Sequence, residues 1–328
     1  MTALVQPLPG THTAFNNWGG LRYGALGFAL AFLALPLYVV LPAFYAEQHR
    51  VPLLTLGLIL LATRGLDALL DPFIGRSVDA VFARSTRQAW WLGAVAAAVL
   101  ALGFTALFFP RGEAGALLLW LGLGLLVTYI AFSVLTIVHQ TWGVRLGGDA
   151  RQRARVVAWR EAFGLVGVLV ASLLPSLFGM GVASVVLALA LLLGMGLLAA
   201  APRSVAKAHT VAAHWKLPWR GAAFRQLLGV FMLNGIASAV PATLVLFFVR
   251  DRLQAPGSEA LFLGSYFAAA VLSVPLWVAA VRRLGLSAAW LCSMGLAVTA
   301  FVFVLTLGAG DQAGFVVVCL ASGAALGA

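Results

Sequence analysis

The sequence predicts an all-α membrane protein, a bundle of about ten transmembrane helices, and three observations carry that prediction. Of its 328 residues, 62% are hydrophobic and only 9% are charged, where a soluble domain carries about 25% charged residues. The mean hydropathy is +1.02. The apolar residues also come in long unbroken runs, not the short alternating segments of a membrane β-barrel. A chain with so few polar groups cannot cover a surface in water, which excludes an ordinary soluble enzyme, a disordered chain and a disulfide scaffold.

A hydrocarbon core about 30 Å thick takes about 20 helical residues to cross. The predicted spans are Tyr23–Tyr45, Leu53–Ile74, Ala89–Phe109, Ala116–Trp142, Trp159–Phe178, Gly181–Ala201, Leu227–Val249, Leu261–Val281, Ala288–Leu307 and Ala313–Ala328. The stretch before Trp18 lacks the basic-then-apolar order of a cleaved leader, so the first span is read as retained. The longest polar segment sets the organisation: residues 1–201 form a six-helix half, residues 202–226 an inter-half loop, and residues 227–328 a four-helix second half. The last run ends without an interfacial anchor, and two further spans are expected beyond it.

The net charge of +11 follows the loops. With the N-terminus in the cytoplasm, 15 of the 21 basic residues fall on the inner side and four (Arg50, Arg111, Arg250, Arg252) on the outer side. Glu47, Glu113, Asp251, Glu259 and Asp311 are also on the outer side. That is the positive-inside pattern of a multi-pass protein of the cytoplasmic (inner) membrane. Nucleic acid is not an expected partner, because the basic loops lack interleaved stacking aromatics. His209 and His214 lie in the inter-half loop and read as solvated rather than metal-binding. Cys292 and Cys319 sit in apolar runs and define no disulfide framework. No nucleophile–base pair, phosphate loop or zinc motif is present, so the chain is not read as an enzyme.

Ionisable residues inside spans are costly and usually face a cavity. The second span carries Arg64, Asp67 and Asp71, whose spacings of three and four put them on one helix face. Two carboxylates and one arginine leave a formal −1 there, which a bound Na⁺, Li⁺ or proton would neutralise. The alternative is a structural Arg–Asp pair near the interface, with Arg64 as charge partner. The fourth span offers Thr136, His139 and Gln140. His139 could relay protons or meet a substrate hydroxyl, or it could bond a backbone carbonyl. Arg160, with Glu161, opens the fifth span and could reach into a cavity or snorkel to the headgroups. Gly24, Gly27, Gly122, Gly124, Gly164 and Gly167 permit close helix contact.

The second span and its following loop, with Arg64, Asp67, Asp71-Pro72, Gly75 and Asp79, resemble the glycoside–pentoside–hexuronide:cation symporter family of the major facilitator superfamily. Tyr23-Gly24, the stretch Thr136 to Gly143 with Asp149, Arg151 to Arg155 and Ala158 to Glu161, and Pro275-Leu-Trp277 with Arg282 to Gly285 agree in order along the chain. The resemblance implies a major-facilitator-type bundle of twelve spans working by alternating access, of which about ten are present. It implies cation binding at Asp67 and Asp71, with Thr136 where the family's cation-linked acid stands. Arg160, Gln140 and His139 would then meet substrate. Gly75, Asp79 and Arg84 would form the superfamily's gating loop between spans two and three. By the same resemblance, Ala31 would stand where a sugar-contacting acid of that family lies. The expected partners are a small-molecule substrate, a sugar or glycoside, and membrane lipids; the expected state is a monomer, and no cofactor is expected beyond the coupling ion. The rival expectations are a major-facilitator carrier of a non-sugar solute such as a lipid, and a truncated membrane protein that does not transport.

Overall fold

The computed structural model describes residues 16–110, 114–148, 150–202 and 221–327. The expectations placed on Arg111, Glu113, Asp149, Arg203, Lys207, His209, His214, Lys216 and Arg220 lie outside the described residues. Among those described, eight stretches are long and apolar enough to cross a membrane. One of them, Gln152–Ala199, is two helices meeting at Gly179, and Gln312–Leu326 adds a shorter apolar helix. This gives the ten predicted segments.

Helix α1 runs Asn17–Gln48. The Asn16 side chain caps it by accepting from the Gly19 N–H at 2.8 Å, which satisfies one of the orphan donors of a first turn. Pro36 has no N–H to give the ladder, and the chain widens there into a π-helical turn, Pro36–Val40. Helix α2 is Leu53–Arg84, α3 Thr86–Phe108 and α4 Ala114–Arg145. Only Ser85 separates α2 from α3. It is extended, with φ −165, and accepts from the Arg87 N–H at 3.2 Å. Helices α5 (150–178) and α6 (180–199) reverse at Gly179, whose φ of 82 suits a residue without Cβ. Helix α7, Ala222–Phe247, starts ahead of the predicted Leu227 and ends in a second π-helical turn, Phe248–Arg252. Helices α8 (Glu259–Leu284), α9 (Leu286–Val304) and α10 (Gln312–Leu326) complete the chain.

Helix α1 is the most enclosed, packed chiefly on α5 and α6. Lipid tails are as apolar as leucine, so close backbone approach must hold such helices together. A Cβ on Gly24 would lie 2.8 Å from the Trp159 carbonyl oxygen, and one on Gly27 2.7 Å from that of Arg160. Gly167 meets the Phe28 carbonyl more closely still, and Gly124 leaves room for Leu107. Gly122 has no such neighbour; only Ile59 approaches, at 4.0 Å. Gly24→Leu is therefore expected to lower the thermal midpoint in detergent by about 5 °C or more, the cost of overpacking against backbone. Gly196→Leu, which faces open space, should shift it by about 1 °C or less.

The two ends of the bundle differ. At the end rich in arginine, Arg22 donates to the Ala200 carbonyl at 3.1 Å, Arg145 to that of Phe82 at 3.3 Å, and Arg155 to Asn17 at 3.1 Å. All three bonds lie within α1–α6. At the opposite end the Tyr45 hydroxyl donates to the Leu107 carbonyl at 2.8 Å. There α7 and α8 also meet the first six helices: the π turn of α1 touches α7, α5 packs on α8, and Leu246 and Leu263 join the core of the first six helices. The remainder of α7 toward its start is largely exposed, including Leu227, Phe231, Met232 and Leu233.

Candidate functional site

Helices α2 and α4 pack side by side, each with one polar stripe in an otherwise apolar surface. On α2 the stripe is Arg64, Asp67, Asp71; on α4 it is Tyr129, Ser133, Thr136, Gln140. Steps of three and four keep each stripe on one face. Asp67 is buried and accepts from the Ser133 hydroxyl at 3.0 Å. Asp71 Oδ1 and Thr136 Oγ1 are buried without a hydrogen-bond partner. A buried polar atom left unpaired costs about 1–3 kcal/mol, so two of them on one helix pair mark a place where a ligand is expected. Pro72, inside α2, has no N–H for the Ala68 carbonyl, which frees a further oxygen one turn from Asp71.

Arg64 lies on the face its spacing predicts, yet it makes no ion pair with Asp67 or Asp71. Its guanidinium lies 3.7 Å from the ring centroid of Tyr38 and 4.7 Å from that of Tyr129. The long side chain leaves the carboxylates and sits between two aromatic faces, a cation–π arrangement favoured by desolvation. Tyr38 reaches it from the π turn of α1, and such turns often occur at functional sites. Sequence reasoning missed Tyr38, Tyr129 and Ser133, since aromatic and small hydroxyl residues in a span look like ordinary packing. The spacing of Ser133 and Tyr129 from Thr136 was the available signal.

A second group lies toward the arginine-rich end. His139 is fully enclosed, its Nε2 2.9 Å from the Tyr23 carbonyl oxygen and its ring 4.4 Å from the Tyr23 ring. This is the backbone-bonded arrangement, and the second nitrogen, Nδ1, has no partner. Arg160 forks onto its neighbour Glu161, at 2.6 and 3.1 Å, and lies beside the Tyr23 hydroxyl. Gln140 is exposed. The structure thus brings Asp67, Asp71 and Thr136 to one helix pair and sets His139 and Arg160 around Tyr23.

One expectation is corrected. Gly75, Asp79 and Arg84 are not a loop, because α2 continues unbroken to Arg84. At 32 residues it is about 48 Å long, and its last turns extend past a core of about 30 Å. What braces this end is Arg145, which bonds the Phe82 carbonyl and lies 4.9 Å from the Phe82 ring.

The donors at Asp67, Asp71, Ser133 and Thr136 are all oxygen, which suits a hard cation or a proton. Among the described residues no group of three or more His, Cys, Asp and Glu side chains could hold a metal ion. A separate cavity of about 670 Å³ lies between α1 and α7–α10, walled mainly by apolar side chains such as Phe262, Phe267 and Trp290, with Asn234, Ser238 and Ser293 among them.

Among the described residues, an all-helical bundle of this order, with a charged stripe on α2 set against neutral hydroxyls of α4, has the architecture of a major-facilitator-type membrane protein. Two solved structures share the fold. The nucleoside transporter NupG superposes with a TM-score of 0.67 at 15% identity, over 94% of this chain and 80% of that one. A D-xylose–proton symporter gives 0.64 at 13%, over 94% and 79%. Residues 22–328 match the family described as MFS/sugar transport protein, and the chain belongs to it. It is a multi-pass integral membrane transporter, not an enzyme. No curated protein is significantly similar to it in sequence.

Proposed function

We propose that the chain is a cation-coupled symporter of a sugar or glycoside, of the melibiose-permease-like kind, working by alternating access in the cytoplasmic membrane with its arginine-rich end inside. The observation that carries this reading is the pair of orphaned oxygens, Asp71 Oδ1 and Thr136 Oγ1, on the two helices joined by the Asp67–Ser133 hydrogen bond. Asp67 and Asp71 hold Na⁺, Li⁺ or a proton, with Ser133 and Thr136 supplying neutral oxygens. Arg160 and Gln140 meet the solute hydroxyls. His139 acts through Tyr23, holding the backbone of α1 against α4. The formal charge of Arg64, Asp67 and Asp71 is −1, so one monovalent cation brings the cluster to zero. A neutral cluster can be enclosed between the halves at far lower cost than a charged one, which makes closure depend on the ion.

Purified protein in vesicles, offered a panel of sugars and glycosides with Na⁺ and proton gradients imposed separately, tests this. Concentrative uptake of at least one solute under one gradient is expected. Failure of every sugar under both gradients would overturn it. A second reading, a carrier of an apolar or amphipathic solute such as a lipid, draws on the largely apolar cavity beside α7–α10. A fluorescent lipid added to the same panel decides between them.

A further inference from the structure

The two π-helical turns lie where the halves touch, and the second of them carries an ion cluster that the ion and solute sites do not use. Arg250, in the turn Phe248–Arg252 that ends α7, forms ion pairs with Glu47 near the end of α1 and with Glu259 in the first turn of α8. The Arg250 Nε–Glu259 Oε1 distance is 2.7 Å. Glu259 belongs to the same half as Arg250; Glu47 belongs to the other. The Arg250 and Glu259 side chains are mostly shielded, Glu259 being only 15% exposed, so solvent screens them less than an open surface pair. Widening the last turn of α7 rotates its end relative to a regular helix and keeps Arg250 at the seam, while Asp251 and Arg252 face outward. The seam beneath is apolar: Leu246 and Leu263 are buried in the core of the first six helices, and Leu173 fills the space opposite Gly264.

We infer that Arg250 is a conformational clasp, with Glu259 aiming it and Glu47 receiving it, that holds the halves together at the end remote from the basic loops and must release Glu47 for that end to open. The inference rests on the alternating-access reading, since only a protein whose halves separate needs such a contact. With the clasp closed, the start of α7, toward the basic side, is exposed.

The test is a distance measurement on the full chain. Spin labels are placed at Gln48→Cys and Arg252→Cys, both exposed positions, in a Cys292→Ser/Cys319→Ser background, and read by pulsed electron resonance in lipid. The otherwise wild-type clasp should give mainly one short distance. Arg250→Ala should raise the ratio of open to closed about fivefold to tenfold, the scale of one charge-assisted contact, and Glu47→Gln should move it the same way. The fully exchanged cluster Glu47→Arg/Arg250→Glu/Glu259→Arg, which keeps both ion pairs with their signs reversed, should bring back the short distance, which a merely misfolded variant would not do. Unchanged distances in Arg250→Ala, or an exchanged cluster no better than Arg250→Ala, would overturn the clasp. The readout needs no solute. A closed-to-open shift without sugar uptake therefore defeats the symporter reading alone, and uptake with unmoved distances defeats the clasp alone.

Discussion

Asp71→Asn is expected to abolish gradient-driven accumulation while leaving solute equilibration across the membrane. Asparagine keeps the shape and one oxygen but removes the charge, so the cluster of Arg64, Asp67 and the new amide is neutral without an ion. The halves can then close around solute alone, and transport loses its link to the gradient. Fixing a monovalent cation with one carboxylate in place of two forfeits a direct ion pair in a poorly screened site, on the order of several kcal/mol before relaxation, enough to weaken ion affinity at least 100-fold. Asp67→Asn should do the same and also disturb the bond from Ser133, so its exchange rate should fall as well. Vesicles loaded with labelled solute, assayed first for accumulation under a gradient and then for exchange without one, separate the two effects. Unchanged concentrative uptake in Asp71→Asn would remove this residue from the ion site.

Why Asp71 could be found in the sequence, and Tyr38 could not, is a matter of contrast. A carboxylate in a run such as Leu69-Leu70-Asp71 breaks an apolar background in which charge is expensive, so the candidate residues of α2 stand out in the sequence. The ten spans were legible for the same reason, because length and hydropathy are direct constraints of the bilayer. Tyr38 and Tyr129 are aromatic residues among many, and their role exists only because Arg64 turns toward them. That choice depends on where α1 and α4 stand, which no spacing along α2 encodes.

The helix ends were less legible, and each for its own reason. Hydropathy stops at the membrane boundary but hydrogen bonding does not, so α2 continues through Gly75, Asp79 and Arg84 where the resemblance implied a loop. The break between α5 and α6 is the exception: the predicted spans end at Phe178 and resume at Gly181, and Gly179 closes the turn between them within a single residue. Arg250 was counted as one of the few basic residues on the outer side, a matter of topology that is silent on contact. Its partners lie on α1 and α8, far apart in the chain, and only packing brings Glu47 and Glu259 to it. Of the packing glycines, Gly24, Gly27 and Gly167 were legible as small residues in spans, while the close approach itself is set by the partner backbone on α1 and α5.

Arg64→Gln should stop both accumulation and exchange, a larger loss than either aspartate substitution. With the guanidinium gone, Asp67 and Asp71 carry a formal −2 that one monovalent ion cannot neutralise, so the cluster stays charged when the halves try to close. Like charges a helix turn apart in a low dielectric repel by several kcal/mol even at an effective ε of about 20. Tyr38 and Tyr129 also lose the cation between their rings, worth roughly 0.5–2 kcal/mol in each cation–π contact, which loosens the π turn of α1 from α4. The two contributions can be told apart. If charge dominates, Arg64→Gln combined with Asp67→Asn restores a net −1 and with it measurable exchange, and Arg64→Lys retains most transport. If the aromatic clamp dominates, the charge-restored double variant stays silent, and Tyr38→Leu alone, with every charge in place, fails as badly as Arg64→Gln. Exchange rates in vesicles for these four variants decide the matter. The first pattern is expected, because the cluster's charge bears on every closure of the transporter, whereas the rings position one side chain.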